Sequence, residues 1–311
     1  MTGPAAPGHR TLVLGEALID IVRRNDGSSS EHVGGSPLNV ALGLAALDET
    51  VDFATRYGDD ERGHRIAQTL SEGGVHPLGG SAGADRTSTA VAVLDEHAGA
   101  TYVFDLVWDL PPTPVSVQTA HLHTGSIAAV LEPGGSEVVA ALEAAREWAT
   151  ISYDPNVRLH IMTDLDAARA RIEQIIALSD VVKASEEDVA VLYPGHAVPD
   201  VLRAWGALGA RLVVVTRGGD GVVASVTSTG EVASEPTRAT HVEDTVGAGD
   251  SFMAGLISGL LEHGLLGGPE GRTRLATASL DDVRPALERG LATSGVTVGR
   301  AGAYAPSRPE L

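Results

Sequence analysis

Residues 244–264 read DTVGAGDSFMAGLISGLLEHG, a turn of very small residues that runs into an apolar helix. In the turn, Gly247, Ala248 and Gly249 leave backbone N–H groups accessible, and the N-terminus of the following helix attracts anions such as phosphate. Asp250 stands in the first turn of that helix, where the helix dipole favours an ionised carboxylate. Beside a bound phosphate, this group is suited to removing the proton of a hydroxyl that attacks phosphorus. A glycine-rich turn with Asp250 as its N-cap is the simpler interpretation of these residues alone.

Segments of strand and helix character alternate on either side of this stretch. Strands are predicted at 11–16, 51–56, 120–126, 150–156, 180–185 and 211–217. Helices are predicted at 36–48, 60–72, 134–149, 165–178, 186–193, 250–264 and 282–297. This alternation predicts an α/β fold whose central, mostly parallel sheet is covered by helices on both faces.

Two segments interrupt the alternation. Residues 18–24 alternate apolar and polar side chains, and residues 89–95 with 101–108 have the pattern of a β-hairpin. Extra strands of this kind commonly form a small accessory sheet. We therefore predict a lid, a small β-sheet formed by strands inserted at about 18–33 and 88–109.

A second glycine-containing stretch, VGGSPLNVALGLAALD, occupies residues 33–48. Gly35 precedes a predicted helix that has Ser36 as its N-cap and Pro37 at its first position. Asn39 falls in the first turn, although asparagine is a poor helix former. Its side chain either caps the helix or presents an amide to a polar ligand, and the sequence leaves both interpretations open.

The bulk composition limits the classes of function. The formal net charge of the 311 residues is −19, which disfavours binding to nucleic acid or anionic lipid. Cysteine is absent, which excludes disulfides, thiolate metal sites and cysteine nucleophiles. Lys183, the single lysine, does not follow a glycine, so the chain lacks the Gly-Lys dipeptide of a Walker A loop. Without a signal peptide or an apolar run of membrane-spanning length, we expect a cytoplasmic protein.

The two glycine-containing stretches together resemble a known family. GGSPLNVALGLAALD (34–48) and DTVGAGDSFMAG (244–255) look like the N-terminal and C-terminal signatures of the ribokinase-like (PfkB) carbohydrate kinases, and are most similar to the fructokinases among them. Shorter landmarks match in order within residues 10–307, namely GEALIDI (15–21), YDPNVR (153–158), VKASEEDV (182–189), VVVTRGGDGV (213–222) and GRAGAYAP (299–306). The resemblance implies a three-layer ribokinase-like sandwich with a small β-sheet lid, in one domain spanning residues 1–311.

The resemblance also implies a role for individual positions. Catalysis falls to Asp250 as the base and to Gly247, Ala248 and Gly249 as the anion hole. The sugar-binding positions are Asp20, Gly35, Asn39, Asn156 and Arg158. The nucleotide-binding positions are Lys183, Glu186, Thr216, Gly218 and Gly221. Lys183 replaces the asparagine of the family's Asn-x-x-Glu motif, a position from which it could reach the phosphates of ATP.

Ions and partners follow from the same resemblance. Glu186 matches the acid of the metal-associated motif, which implies Mg²⁺, and the backbone carbonyls of Asp244 and Val246, with those of 298–302, match a site for a monovalent cation such as K⁺. The implied partners are ATP and a small sugar, with no nucleic acid and no membrane. The resemblance also allows a homodimer through the lid.

The implied activity is transfer of the γ-phosphate of ATP to a sugar hydroxyl, with fructose as the first substrate. The alternatives are 2-keto-3-deoxygluconate, for which Arg158 would bind the carboxylate, then ribose or a nucleoside. A sugar-binding regulator on the same fold is the non-enzymatic alternative.

Two further patterns suggest other chemistry. Gly219, Gly221 and Ala224 fit a dinucleotide-binding G-x-G-x-x-A pattern, but the β-rich residues that follow oppose the helix that this pattern requires. His121 and His123 share one face of a strand and suggest zinc, but no third ligand lies at usable spacing.

Overall fold

The computed structural model describes residues 10–24, 26–94 and 100–311. Its strands are β1 (Arg10–Leu14), β2 (Leu18–Arg23), β3 (Ser29–Gly34), β4 (Thr50–Ala54), β5 (Tyr57–Gly58), β6 (His76–Pro77), β7 (Ala82–Ala84), β8 (Thr89–Leu94), β9 (Ala100–Asp105), β10 (Thr119–Gly125), β11 (Thr150–Asp154), β12 (Val181–Ser185), β13 (Leu212–Thr216), β14 (Val222–Val226) and β15 (Glu231–Glu235). Its α-helices are α1 (Ser36–Ala46), α2 (Glu61–Glu72), α3 (Gly134–Ala145), α4 (Leu165–Leu178), α5 (Glu186–Leu192), α6 (Val198–Leu208), α7 (Ala248–Glu262), α8 (Gly268–Leu275) and α9 (Leu280–Thr297).

The largest sheet has the strand order β15-β14-β13-β12-β11-β10-β1-β4-β6. Its pairs are parallel from β6 to β13, and β14 and β15 add an antiparallel edge. The chain leaves β1 for β4 on one side and later returns to β10 on the other. Ligands of open α/β sheets bind beyond the carboxyl ends of the strands at such a reversal, so the end of β1 marks the expected site.

Helices cover both faces of this sheet and form two apolar cores. One core packs residues of α1, α2, α7 and α9 against the sheet, and the other packs residues of α3, α4, α5 and α6 against the opposite face. The predicted α/β class, with a mostly parallel sheet between two helical layers, is therefore confirmed.

A separate four-stranded sheet has the order β3-β2-β8-β9. The pair of β2 with β8 is parallel, and the two outer pairs are antiparallel. These strands come from the segments predicted for the lid. The predicted link between β8 and β9 lies mostly outside the described residues, because 95–99 are not described.

Close contact between α1 and α7 places the starts of both helices side by side. A Cβ atom on Gly43 of α1 would lie 2.7 Å from the Cβ of Ala254 of α7, so glycine at this position lets the helices approach. Residues 250–261 of α7 are all buried, which makes α7 a central helix of the fold. Among the described residues, no helix is both long and apolar enough to cross a lipid bilayer.

Candidate active site

A cleft of 570 Å³ opens between the large sheet and the four-stranded sheet. Its floor includes residues just beyond the carboxyl ends of β1, β10 and β11, as the strand order predicts, and Lys183 from the middle of β12. Its roof comes from β2, β8 and β9. Of the predicted sugar-binding and catalytic positions, the cleft is lined by Asp20, Gly35, Asn39, Asn156, Arg158, Gly247, Gly249 and Asp250.

A second pocket of 300 Å³ lies next to this cleft and brings together most of the predicted nucleotide positions. The two pockets share four lining residues, Asn156, Lys183, Thr245 and Gly249. Apolar side chains from β14, α7 and α9 line the second pocket, which suits the flat, largely apolar face of a nucleotide base. Its lining includes Lys183, Thr216, Gly218, Gly221, Val222, Ala248, Gly249, Phe252 and Leu291.

Asp250 lies where the two pockets meet, and its carboxylate is bonded by another helix. The side chain is 9% exposed, and the N-cap of α7 is Gly247, so Asp250 is not the N-cap. Ser36 Oγ donates to Asp250 Oδ1 at 2.7 Å, and Asn39 Nδ2 donates to Asp250 Oδ2 at 2.8 Å. The amide of Asn39 therefore does not cap α1. Both donors stand in the first turn of α1, so two helix N-termini converge on one carboxylate.

Ser36 was predicted as the N-cap of α1, and that prediction is wrong. The N-cap is Gly35, which makes no side-chain capping bond, and Ser36 is the first helical residue. Gly35 has φ 118°, and a Cβ there would lie 2.5 Å from the carbonyl oxygen of Glu16. This tight turn directs the Ser36 hydroxyl across the interface with α7, a contact over 214 positions that local sequence does not reveal.

The turn before Asp250 has the predicted open amides, with one difference. Within the described part of the chain, the N–H groups of Gly247, Gly249 and Asp250 make no hydrogen bond, whereas that of Ala248 donates to Thr245 O at 3.2 Å. Gly247 has φ 74°, a left-handed conformation that glycine adopts without strain. Three residues that line the cleft at the positive end of α7 thus keep a backbone N–H group without an acceptor among the described residues.

Asp20 on β2 brings a carboxylate to the roof of the cleft. Asp20 is exposed to the open cleft, yet the protein atoms packed around it are the largest cause that raises its pKa, to about 6, while His32 and Arg158 favour the ionised form. A Cβ atom on Gly34 would lie 2.1 Å from Asp20 Oδ2, so the glycine leaves space for the carboxylate. Above about pH 6, Asp20 is an ionised acceptor suited to sugar hydroxyls.

The structure separates Glu186 from the other nucleotide positions. Glu186 begins α5, is exposed, and forms an ion pair with Arg217 at 3.4 Å; it does not line either pocket. Its neighbours Glu187 and Asp188 line the second pocket. Asp188 is already engaged, since it accepts from the amides of Val157 at 2.7 Å and Ser185 at 2.8 Å.

Residues 244–246, predicted to bind a monovalent cation, are hydrogen-bonded to residues 298–302. Asp244 Oδ2 accepts from the Gly302 amide at 2.8 Å, and Asp244 Oδ1 accepts from the Val246 amide at 3.0 Å. The amide of Asp244 donates to Val298 O at 3.2 Å. The carbonyl groups named from the sequence therefore belong to two neighbouring loops, and their role as cation ligands stays a prediction.

Glu16 is a cleft residue to which the sequence assigned no role. It follows β1, is 5% exposed, and its Oε2 accepts from the Ala128 amide at 3.2 Å. Burial is the largest cause that raises its pKa to about 7, against the opposing effects of Ser126 and Arg158. Sequence reasoning could have found Glu16 from its place at the end of the predicted strand 11–16, because ligands of open α/β sheets bind beyond the carboxyl ends of the strands.

Replacing Glu16 with glutamine is expected to stabilise the protein at alkaline pH. The folded-state pKa of about 7 lies above the ordinary value of 4.5, so the wild type loses stability as pH rises from 4.5 through 7. The difference of about 2.5 pKa units corresponds to at most about 3 kcal/mol. Urea unfolding at pH 5 and pH 8 measures it, with the exposed Glu143→Gln as control. A Glu16→Gln effect that does not change with pH would contradict the assignment.

The other chemistries considered from sequence do not fit the structure. Gly219 and Gly221 lie in a turn that leads into β14, which pairs antiparallel with β13, so no helix follows them. His121 and His123 are buried, and their rings contact Thr150 and Ser152. Among the described residues, no group of three or more His, Asp or Glu side chains is placed to hold a metal ion.

Comparison with known protein families identifies the class of enzyme to which this site belongs. The sequence profile described as pfkB family carbohydrate kinase matches residues 9–310. The chain belongs to this family. It is thus a phosphotransferase acting on a sugar. A fructokinase from Klebsiella pneumoniae is 36% identical over 266 residues, covering 81% of this chain and 85% of the relative.

Further members of the family agree in sequence and fold. A fructokinase from Escherichia coli is 32% identical, covering 82% of this chain and 86% of the relative. A fructokinase double mutant from Vibrio cholerae O395, solved with fructose, ADP and potassium, is 25% identical with a TM-score of 0.76, covering 97% and 96% of the two chains. ATP-bound fructokinase from Xylella fastidiosa, at 21% identity, TM-score 0.82 and the same coverage, shows the fold alone. The predicted ribokinase-like fold and family are confirmed.

Proposed function

We propose that this chain is an ATP-dependent fructokinase, with the cleft as its sugar site and the second pocket as its ATP site. The observation that carries the proposal is the meeting of the two pockets at Gly249, directly beside Asp250. A hydroxyl in the cleft and a γ-phosphate in the second pocket would meet at that point. Support for fructose comes from the fructokinases at 36% and 32% identity.

In the proposed reaction, Asp250 takes the proton of the attacking hydroxyl. The new O–P bond forms as the bond from the γ-phosphorus to the bridging oxygen breaks, and ADP leaves with that electron pair. The amides of Gly247, Gly249 and Asp250 would stabilise the charge on the transferred group. Because Ser36 and Asn39 occupy both oxygens of Asp250, the incoming hydroxyl would join or displace one of them.

Sugar binding is assigned to the roof and floor of the cleft. Asp20 and Asn39 supply an acceptor and an amide to the hydroxyl groups, and Gly35 gives backbone access. Asn156 and Arg158 border the same cleft from the loop after β11. These roles are proposals that rest on the placement of the residues around one cleft.

Mg²⁺ fits the acidic border of the second pocket. Mg²⁺ commonly binds through one or two carboxylates together with substrate phosphates and water, so a complete protein cage is not needed. Glu187 and Asp188 line this pocket, whereas Glu186 would have to leave its ion pair with Arg217 to reach the ion. The ion would offset the negative charge of the phosphates. For K⁺, we propose the carbonyl groups of Asp244 and Val246 with those of 298–302.

We further propose that residues 1–311 work as one domain, in the cytoplasm, and as a homodimer through the four-stranded sheet. Strand β9 is an edge of that sheet, and Val103 on it is 56% exposed. An apolar side chain on an open edge supports pairing with a second chain.

A panel of acceptors tests the substrate. ADP formation with Mg²⁺ and K⁺ is measured for fructose, 2-keto-3-deoxygluconate, ribose and adenosine, and the kcat/KM for fructose is expected to exceed the others at least tenfold. The Arg158→Gln variant is the matched check, because it removes the candidate partner of a sugar carboxylate. Higher kcat/KM for 2-keto-3-deoxygluconate, lost in Arg158→Gln, would replace fructose by the acid sugar.

A further inference from the structure

Lys183 lies buried at the junction of the two pockets. Its side chain on β12 is 5% exposed, and Lys183 lines both the cleft and the second pocket. A Cβ atom on Gly249 would lie 2.9 Å from Lys183 Nζ, so the ammonium group packs against the turn that precedes Asp250. A fixed positive charge therefore stands beside the open amides.

Asp154 at the end of β11 holds this ammonium group. Lys183 Nζ donates to Asp154 Oδ2 at 2.8 Å, and Asp154 is 1% exposed. This is the one hydrogen bond of Nζ within the described part of the chain, so two of its three N–H groups are available. Oδ1 of Asp154 is buried and has no protein partner among the described residues. Among the described residues, the carboxylate of Asp154 thus makes its hydrogen bond to Lys183 through Oδ2 alone.

Both groups of the pair are ionised near neutral pH, although burial and, with it, the neighbouring carboxyl groups of Asp188 and Asp250 raise the pKa of Asp154. Burial raises the pKa of Asp154 to about 6, while Lys183 lowers it. Burial alone would lower the pKa of Lys183, but Asp154, then Asp250 and Asp188, outweigh burial and raise it. Above about pH 6 the ionised carboxylate of Asp154 therefore faces a charged ammonium group, with Asp250 and Asp188 as the other acids near it.

The side of the pair toward the sheet interior is electrically neutral. Burial, followed by the charge of Lys183, lowers the pKa of His123 to about 3. Its Nδ1 contacts Ser152 Oγ at 2.9 Å, on the strand that carries Asp154. The charge of Lys183 is accordingly balanced by acids that border the pockets, and it acts on whatever binds there.

We propose that Lys183 donates hydrogen bonds to the phosphoryl group during its transfer, and that Asp154 is the positioning residue that aims it. This inference rests on the proposed function. As the sugar oxygen bonds to phosphorus and the bridging oxygen leaves with ADP, the hydroxyl proton passes to Asp250 and Lys183 keeps its own protons. The ammonium is aimed at the group in transfer, whose charge is spread over three oxygens between the attacking and leaving atoms, so the interaction affects kcat more than the KM for ATP.

The matched variants are Lys183→Met, Asp154→Asn and the double variant that carries both changes. Each single change leaves a buried group without its charged partner, and stability is expected to fall. The double variant removes both charges at nearly constant volume and should regain the wild-type melting temperature, because neutral replacements of buried ion pairs are often tolerated. If the ion pair served stability alone, the double variant would regain activity together with stability.

We expect the double variant to be folded and yet about 100-fold or more lower in kcat, as is Lys183→Met, with the KM for ATP changed only a few-fold. A double variant with kcat near the wild type would overturn the proposal. So would a Lys183→Met enzyme that keeps its kcat and loses only ATP affinity. If the wild type showed no sugar-dependent turnover, the proposed function itself would fail, which is a different result.

The Gly249→Ala variant keeps both charged residues and tests the placement of the ammonium if the charge variants do not fold. The new Cβ would lie 2.9 Å from Nζ and displace it, while alanine favours the helix. We expect kcat to fall at least tenfold with the melting temperature unchanged or higher. Wild-type kcat in this variant would count against the role of Lys183.

Discussion

Replacement of Asp250 by asparagine is expected to lower kcat for the sugar kinase reaction by about 10²–10⁴-fold, the usual contribution of general base catalysis. The asparagine side chain has the same shape, and its oxygen can still accept from Asn39 while its amide donates to Ser36 Oγ. The KM for the sugar should therefore change only a few-fold. Steady-state kinetics with varied sugar at saturating ATP measures both constants.

The matched control for this prediction is Asp281→Asn. Asp281 also lies in the first turn of a helix, α9, but its side chain is 91% exposed and lines neither the cleft nor the second pocket. The control variant should keep the wild-type kcat. If Asp250→Asn retained kcat within threefold of the wild type while binding sugar normally, Asp250 would not be the base.

Replacement of Gly247 by alanine is expected to reduce kcat by about 10²–10³-fold, as the loss of one oxyanion donor does. Gly247 has φ 74°, where an L side chain costs about 1–2 kcal/mol. The added Cβ would also lie 2.6 Å from the Cβ of Ala303, so the turn must shift. Displacement of the turn moves the open amides of Gly249 and Asp250 away from the phosphoryl group.

Gly230→Ala separates backbone strain from this displacement. Gly230 has φ 69° and lies in the turn between β14 and β15. Among the described residues, no atom outside its immediate neighbours lies within 4 Å of the position that the alanine Cβ would occupy. Its alanine variant should lose a similar amount of stability in thermal unfolding and keep full kcat. Equal kcat in the two alanine variants would show that the turn at Gly247 does not serve catalysis.

Much of the fold and the centre of the site could be predicted from local sequence. Each strand and helix has a local apolar pattern that predicts it, and their order along the chain gives the α/β alternation. The small-residue turn with Asp250 by itself indicates a phosphate site beside a carboxylate. The helices α6 and α8 were not predicted, and β15 was also missed. The apolar spacing in α6, VPDVLRAWGAL, does indicate a helix and was available as a signal.

The contacts that complete the site could not be predicted, because they join distant parts of the chain. Ser36 and Asp250 are 214 positions apart, and Lys183 and Asp154 are 29 apart on neighbouring strands. Spacing along one helix or strand carries no information about such pairs. The role of Glu186 came from resemblance alone, and the ion pair with Arg217 now engages its carboxylate away from both pockets.

Fructokinase activity is tested most directly by the initial rate of ADP formation by the wild-type protein with ATP, Mg²⁺ and K⁺, with and without fructose, together with detection of the sugar phosphate. A fructokinase should show fructose-dependent, saturable ADP release with one sugar phosphate formed for each ADP. Fructose that binds, as shown by a raised melting temperature, without stimulating ADP release would contradict it and point to a sugar-binding protein on a kinase fold.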